Sequence, residues 1–273
     1  MTTTRKIAIS NKKGGVGKTT IALLSAQELL RRGYKVLFID CDSQRNSTKF
    51  YDAKWEDPQI TMADILFNDS IMPIDCIQHC KYGDIIAADK QLEGADNKIK
   101  RGPKENVILR NKLKSIDGIY DFIVFDTNPS VDVILNNVLT ASDYLVIPIN
   151  GQYALDGIAD FDETVSDIQE TTNPELANLG FVFNMYKKHV GISRDSVEDA
   201  EEIAEIVGTS LFDTKIRQTS DCERALTDLH IPLHEFKKKG NTLIDATEFV
   251  SELLRKIKNT PNGKDLVIKR AKN

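Results

Sequence analysis

The chain is poor in cysteine, in long apolar runs and in net positive charge. Its four cysteines (Cys41, Cys76, Cys80 and Cys222) in 273 residues are too few for a disulfide framework of the small secreted kind. No apolar stretch approaches the roughly 20 residues that a membrane span needs. The N-terminal MTTTRKIAIS lacks the apolar region of a secretory signal. These absences lead us to expect a cytoplasmic protein that makes no use of a membrane. Internal repeats and low-complexity tracts are also missing. The net charge of −5 argues against a broadly basic nucleic-acid binder, although it leaves room for local basic patches. One such run is Lys237-Lys238-Lys239. Another is residues 251–273, with seven Lys/Arg against two acids. Cys76, His79 and Cys80 form a C-x-x-H-C cluster of three potential zinc ligands. No fourth ligand follows at the usual spacing, so the simpler reading is a reduced, partly buried segment.

What is present is an alternation of apolar runs and helical patterns. Strands are expected at 5–11, 36–40, 85–88, 121–126, 144–150 and 179–184, with a short one near 210–213. Helices are expected at 18–32, 61–67, 105–115, 131–141, 154–170, 193–207, 221–229 and 242–257. The run DFIVFD at 121–126 is apolar without alternation, as in a parallel strand covered on both faces. Alternating strands and helices imply an α/β fold with right-handed crossovers, one mostly parallel twisted sheet and helices on both faces. Ligands bind such sheets at the C-terminal ends of the strands. Residues 1–257 read as a single domain, and 258–273 as a basic, loosely held tail.

The first candidate site is Lys12-Lys13-Gly14-Gly15-Val16-Gly17-Lys18-Thr19-Thr20, between the first strand and the first helix. Three glycines permit backbone conformations closed to other residues, so that several N–H groups can turn onto one anion. The helix beginning at Lys18 adds the positive end of its dipole. Lys18 is placed to reach the β and γ phosphates of a nucleotide, and the Thr19 hydroxyl to ligate Mg²⁺. A Gly-rich surface turn is the alternative, but it accounts for neither the strand before nor the helix after. The usual phosphate loop has glycine six residues before its lysine; here that position is Lys12.

Lys-Gly-Gly-x-Gly-Lys-Thr resembles the deviant Walker A loop of the ParA/MinD ATPases, a P-loop NTPase family that includes ArsA and the nitrogenase iron protein. The resemblance implies that Lys13 reaches across a dimer interface to the partner's nucleotide, making ATP a dimerisation switch. Asp40-Cys41-Asp42-Ser43-Gln44-Arg45-Asn46 is similar to the family's Asp-x-Asp-Pro-Gln-Gly-Asn, with Ser43 in place of Pro and Arg45 in place of Gly. Asp42 matches the residue that orients or activates the attacking water, and is a weaker candidate for the metal. Asp126, an acid at the end of a buried strand, fits a Walker B residue holding Mg²⁺ through water. Asn184, at the end of LGFVFN, matches a position that contacts adenine; a turn-forming Asn is the plain alternative.

Within the family, three features favour the ParA branch. The tail is broken by Pro261-Asn262-Gly263 and is unlike the amphipathic membrane helix of MinD. No cysteine lies between Cys80 and Cys222, where an iron–sulfur member would carry its ligands. The last tyrosine is Tyr186, which excludes the C-terminal tyrosine cluster of the related kinases. The phosphate loop lies within the first twenty residues, as in short members lacking an N-terminal helix-turn-helix. The resemblance implies a nucleoid-associated ATPase with ATP and Mg²⁺ as cofactors, slow on its own. It would form an ATP-dependent homodimer, bind double-stranded DNA without sequence choice and be stimulated by a ParB-like partner. Arg217, Lys187, Lys188 and Arg194 are the candidate DNA contacts; a solvated surface charge is the plain reading of each. The alternatives left open are positioning on a membrane or of a protein cluster, and a nucleotide switch with little hydrolysis.

Overall fold

A computed structural model describes residues 3–271 except 100, 101, 103, 131, 132, 151–156 and 187–191; of 192–195 it describes the backbone alone. Seven strands form one sheet: β1 (Arg5–Ile9), β2 (Val36–Cys41), β3 (Ile77–Cys80), β4 (Gly83–Ile86), β5 (Phe122–Thr127), β6 (Tyr144–Ile149) and β7 (Ala177–Phe183). The helices are α1 (Lys18–Arg31), α2 (Asn46–Phe50), α3 (Met62–Phe67), α4 (Pro73–Cys76), α5 (Ala95–Lys98), α6 (Ile108–Leu113), α7 (Val133–Ala141), α8 (Ile158–Thr171), α9 (Ile192–Ile206), α10 (Ser220–Glu223), α11 (Leu233–Phe236) and α12 (Asn241–Asn259).

The strand order is β3-β4-β2-β5-β1-β6-β7, and every pair is parallel except β3 with β4. Strands β2, β5 and β6 are buried along their whole length because helices cover both faces. Successive side chains feed opposite layers. On β5, Ile123 and Phe125 join the layer under α3, α6, α7, α8 and α9, whereas Phe122 and Val124 join the layer under α1 and α12. From β1 the chain crosses to β2 on one side, and β6 and β7 extend the sheet on the other. The C-terminal end of β1 is therefore the switch point at which an open α/β sheet leaves a crevice.

The sheet matches the one expected from sequence, and the differences lie at its margins. β3 was not foreseen: it is short, antiparallel and at the edge. The C-x-x-H-C cluster straddles its start: Cys76 ends α4, and the adjacent His79 and Cys80 on β3 face opposite sides. Cys76 packs into one layer, Cys80 lies against the other, and His79 Nδ1 pairs with Asp84 Oδ1 at 2.7 Å. The strand expected at 210–213 is reduced to a single bridge between Phe181 and Leu211. The helix expected at 221–229 begins as α10 and widens into a π-turn over Arg224–Asp228.

The loosely held tail is a correction. Beyond Thr260 the chain turns back under the N-terminal edge of the sheet. Leu266 is buried, Arg5 pairs with Asp265, and Tyr34 Oη donates to the Val267 carbonyl at 2.7 Å. The Lys269 ammonium lies 4.4 Å from the Tyr34 ring centroid. Its three consecutive apolar residues make no helical face, but an extended segment needs only one of them, Leu266, to anchor it.

Candidate functional site

The connection from β1 to α1 is shaped by two glycines in the left-handed region, Gly15 (φ 74°) and Gly17 (φ 86°), where an L side chain costs about 1–2 kcal/mol. Gly17 has a second reason to lack a side chain, since a Cβ there would lie 1.9 Å from Asn184 Nδ2. At Gly14 and Gly15 a Cβ would meet nothing within 4 Å, so the loop backbone faces open space. Gly17 caps α1 without a side-chain hydrogen bond, and the first turn of α1 holds no acid. The leading N–H groups and the positive end of the helix are thus left to an external anion.

Three asparagines at neighbouring strand ends pin this loop. Asn11, beyond β1, donates to the Pro148 carbonyl at 2.8 Å and accepts from the Lys13 N–H at 2.9 Å. Asn150, after β6, donates to the Gly15 carbonyl at 3.1 Å. Asn184, after β7, is buried, and its Nδ2 donates to the Val16 carbonyl at 3.0 Å. The backbone carbonyls are turned toward these amides, which leaves the N–H side of the loop to the open space.

Below the loop lies an acidic floor. Asp40 of β2 and Asp126 of β5 stand opposite one another in register, and both are fully buried. Asp40 accepts from the Asp42 N–H and from the backbone and hydroxyl of Thr48. Asp126 Oδ2 accepts from Ser47 Oγ at 2.7 Å, while its Oδ1 is buried with no hydrogen-bond partner. Burial drives the carboxyl groups of both well above the ordinary range. The Asp40 carboxylate raises Asp126 further, against the pull of the Ser47 and Thr19 hydroxyls. Lys18 is buried and donates to the Lys13 carbonyl at 2.9 Å. Desolvation lowers its pKa to about 8, although Asp126 and Asp42 oppose the shift. A buried acid with an unsatisfied oxygen, a hydroxyl beside it and a desolvated lysine make a site short of positive charge on one side and of negative charge on the other. A cation bound with an anionic ligand would satisfy both.

The structure brings together Gly14, Gly15, Val16, Gly17, Lys18, Thr19, Asp42 and Asp126. Asp42 is partly exposed at the rim, its Oδ1 accepting from the Gln44 N–H at 2.9 Å. Lys13 is exposed, and Thr20 lines a cavity of about 220 Å³ with Asn184, Met185, Arg217 and Thr219. Arg217 is half-buried and tied down, because Asp245 of α12 accepts from its backbone N–H and its guanidinium. Lys187 and Lys188 lie outside the described residues, as does the side chain of Arg194. Sequence reasoning missed Asp40, Ser47, Thr48, Asn11 and Asn150 as parts of the site. Asp40 was visible as the first acid of Asp-x-Asp; the others become meaningful only when strand ends are set side by side. A second cleft of about 460 Å³, beside Lys6, Arg110 and Lys114, lies at the opposite ends of the strands.

A glycine loop between the central strand and a helix, above carboxylates on two adjoining strands, defines a nucleotide-binding domain of the P-loop class. Residues 4–178 match the family model described as AAA domain. The chromosome partitioning protein ParA of Myxococcus xanthus is 31% identical over 199 residues, which cover 71% of this chain and 70% of that protein. The chain belongs to the ParA/Soj-type family of partition ATPases. Among solved structures, the cobyrinic acid a,c-diamide synthase of Mycobacterium smegmatis with bound ATP analogue and magnesium superposes with a TM-score of 0.82. It is 28% identical, covering 94% of this chain and 96% of that one. The ATP complex of a Cyanothece McdA variant shares the fold with a TM-score of 0.82 at 24% identity, over 92% of this chain and 96% of that one. Among the described residues, no helix is long and apolar enough to cross a membrane.

Proposed function

We propose that the chain is an ATPase that dimerises on ATP and Mg²⁺, binds double-stranded DNA without sequence choice, and leaves it after hydrolysis stimulated by a ParB-like partner. The observation that carries the nucleotide chemistry is the buried, unpartnered Asp126 Oδ1 beneath a loop whose N–H groups face open space. The loop from Gly14 to Thr19 takes the phosphates. The Lys18 ammonium, now spent on the Lys13 carbonyl, turns to the β and γ oxygens. Asp126 and Thr19 would hold Mg²⁺, with Asp40 behind them. This suits a cation that keeps its waters and is bound through one or two carboxylates plus substrate phosphates. When bound, it supplies charge neutralisation at the phosphates.

Asp42 stands at the rim, where it orients the attacking water. The nucleoside takes the cavity beside Thr20 and Asn184. Lys13 is exposed at the mouth, where a lysine serves a neighbouring protomer's phosphate better than its own. With one part of the catalytic set supplied across an interface, hydrolysis by the isolated chain is slow.

Membership of the partition family supports the DNA-binding part of this reading. The test is co-sedimentation with random-sequence duplex DNA and with anionic liposomes, with and without Mg-ATP. Retention on DNA only in the presence of Mg-ATP is expected. Retention on liposomes and not on DNA overturns the partition reading in favour of a membrane-based positioning ATPase.

A further inference from the structure

The chain's negative charge is concentrated on one side. Helices α8 and α9 hold eleven of the 41 acidic residues and one of the 36 basic ones, so the remainder is net positive. Both helices pack on the layer opposite α1 and α12. A polyanion is repelled from α8 and α9 and is better received on the side that lacks them. On that second side, between α11 and α12, stand Lys237, Lys238 and Lys239, all exposed. Lys237 Nζ lies 2.5 Å from Asp221 Oδ2, whereas Lys238 and Lys239 have no ion-pair partner among the described residues.

This lysine segment is mounted on the wall of the nucleoside cavity. Thr219, Cys222, Glu223, Leu226 and Thr227 line that cavity opposite Thr20 and Asn184. The same stretch carries Asp221, the partner of Lys237, and Arg224, whose guanidinium lies 5.9 Å from the Phe236 ring centroid. Thr219 bonds to Thr242 at 2.7 Å, so both ends of the lysine segment are tied to the wall. The wall includes the π-turn Arg224–Asp228 and ends at His230 in the left-handed region. Such a turn has a regular α-helical arrangement as its near alternative, and π-turns recur at functional sites.

We propose that Lys237–Lys239, with Arg224 beside them, form a contact surface for the phosphate backbone of duplex DNA, and that the cavity wall carries nucleotide occupancy to it. This rests on the partition reading and adds the surface and its coupling. The surface takes phosphates and reads no bases: two unpaired ammonium groups on flexible stems neutralise charge without fixing a hydrogen-bond pattern. An occupied cavity braces Thr219–Thr227 from one side and so holds the lysines in one position.

The test compares Lys238→Ala/Lys239→Ala with Arg255→Ala/Lys258→Ala, an equal loss of charge roughly 25 Å further along α12. Binding of a labelled random-sequence duplex is measured with Mg-ATP over a range of salt. For the lysine variant, the slope of log affinity against log salt should shrink by about two. Its affinity should fall about tenfold or more at moderate salt, while nucleotide affinity and DNA-free hydrolysis stay at the parent level. The Arg255/Lys258 variant should keep the parent's slope. A parent that binds DNA together with a lysine variant of unchanged slope, or equal losses in both variants, overturns the surface and leaves the partition reading standing. A parent that binds no DNA with Mg-ATP overturns the partition reading and the surface with it.

Discussion

Replacing Asn184 with alanine separates two roles for one side chain. The resemblance assigns it to the adenine edge, whereas in the structure its Nδ2 donates to the Val16 carbonyl from a fully buried position. Alanine removes that donor and leaves the Val16 carbonyl without it. The cost of a buried group left unsatisfied is about 1–3 kcal/mol. Part of it falls on folding and part on the shape of the loop, so about 1.4 kcal/mol, or a factor of ten, is expected in nucleotide affinity. The loop touches phosphates and not the base, so the loss must be shared. Isothermal titration of the parent and Asn184→Ala with ATP, ADP and GTP should give similar fold-losses for all three. A loss confined to adenine nucleotides would refute the reasoning and restore the base-reading role. Unchanged affinity for all three would show that Asn11 and Asn150 suffice to hold the loop.

Four further outcomes follow from the same geometry. Asp126→Asn should stabilise the ligand-free chain by at least about 1 kcal/mol at neutral pH, because an amide carries no charge that burial penalises, raising Tm by roughly 2–4 °C. A buried acid with a raised pKa holds its proton more tightly folded than unfolded, so the parent loses stability as pH rises above about 4. The gain from Asn should therefore shrink toward pH 4 in thermal melts, and a gain that grows on acidification contradicts the assignment. The same variant should lose Mg²⁺-dependent hydrolysis. Gly17→Ala meets both a positive φ and the Asn184 amide; it should lower stability by about 2–3 kcal/mol and abolish ATP binding, and wild-type binding would count against the loop geometry. Leu266→Ala should cost about 2 kcal/mol, the low end for a buried leucine because the tail can settle; an unchanged Tm would mean the tail is not docked.

Most of the sheet was legible because parallel inner strands are written as short apolar runs, and 36–41, 122–127 and 144–149 bear no other reading. β3 was not, since Ile77–Cys80 mixes polar and apolar residues and owes its pairing to β4. The tail was misread because its order comes from tertiary partners, Tyr34 and Arg5, more than 200 residues away. At the site, the phosphate loop was legible from glycine spacing. The asparagine supports were not, because Asn11, Asn150 and Asn184 converge only through the order β1-β6-β7. Arg45 shows both sides. Its place where the family has glycine was noted, and the structure gives it φ 59° with its guanidinium 4.1 Å from the Trp55 ring centroid. The backbone there asks for glycine, and a stacking partner holds the arginine in its stead.

The central claim is that ATP closes two copies of this chain around Lys13. Light scattering after size exclusion, with Mg-ATP, on Asp42→Ala and on Asp42→Ala/Lys13→Ala tests it most directly. The first variant, able to bind ATP but not to turn it over, should run at twice the 30.6 kDa chain mass, and the second at the chain mass with nucleotide still bound. A single-chain mass for Asp42→Ala with ATP bound, or a dimer that survives loss of Lys13, contradicts the account.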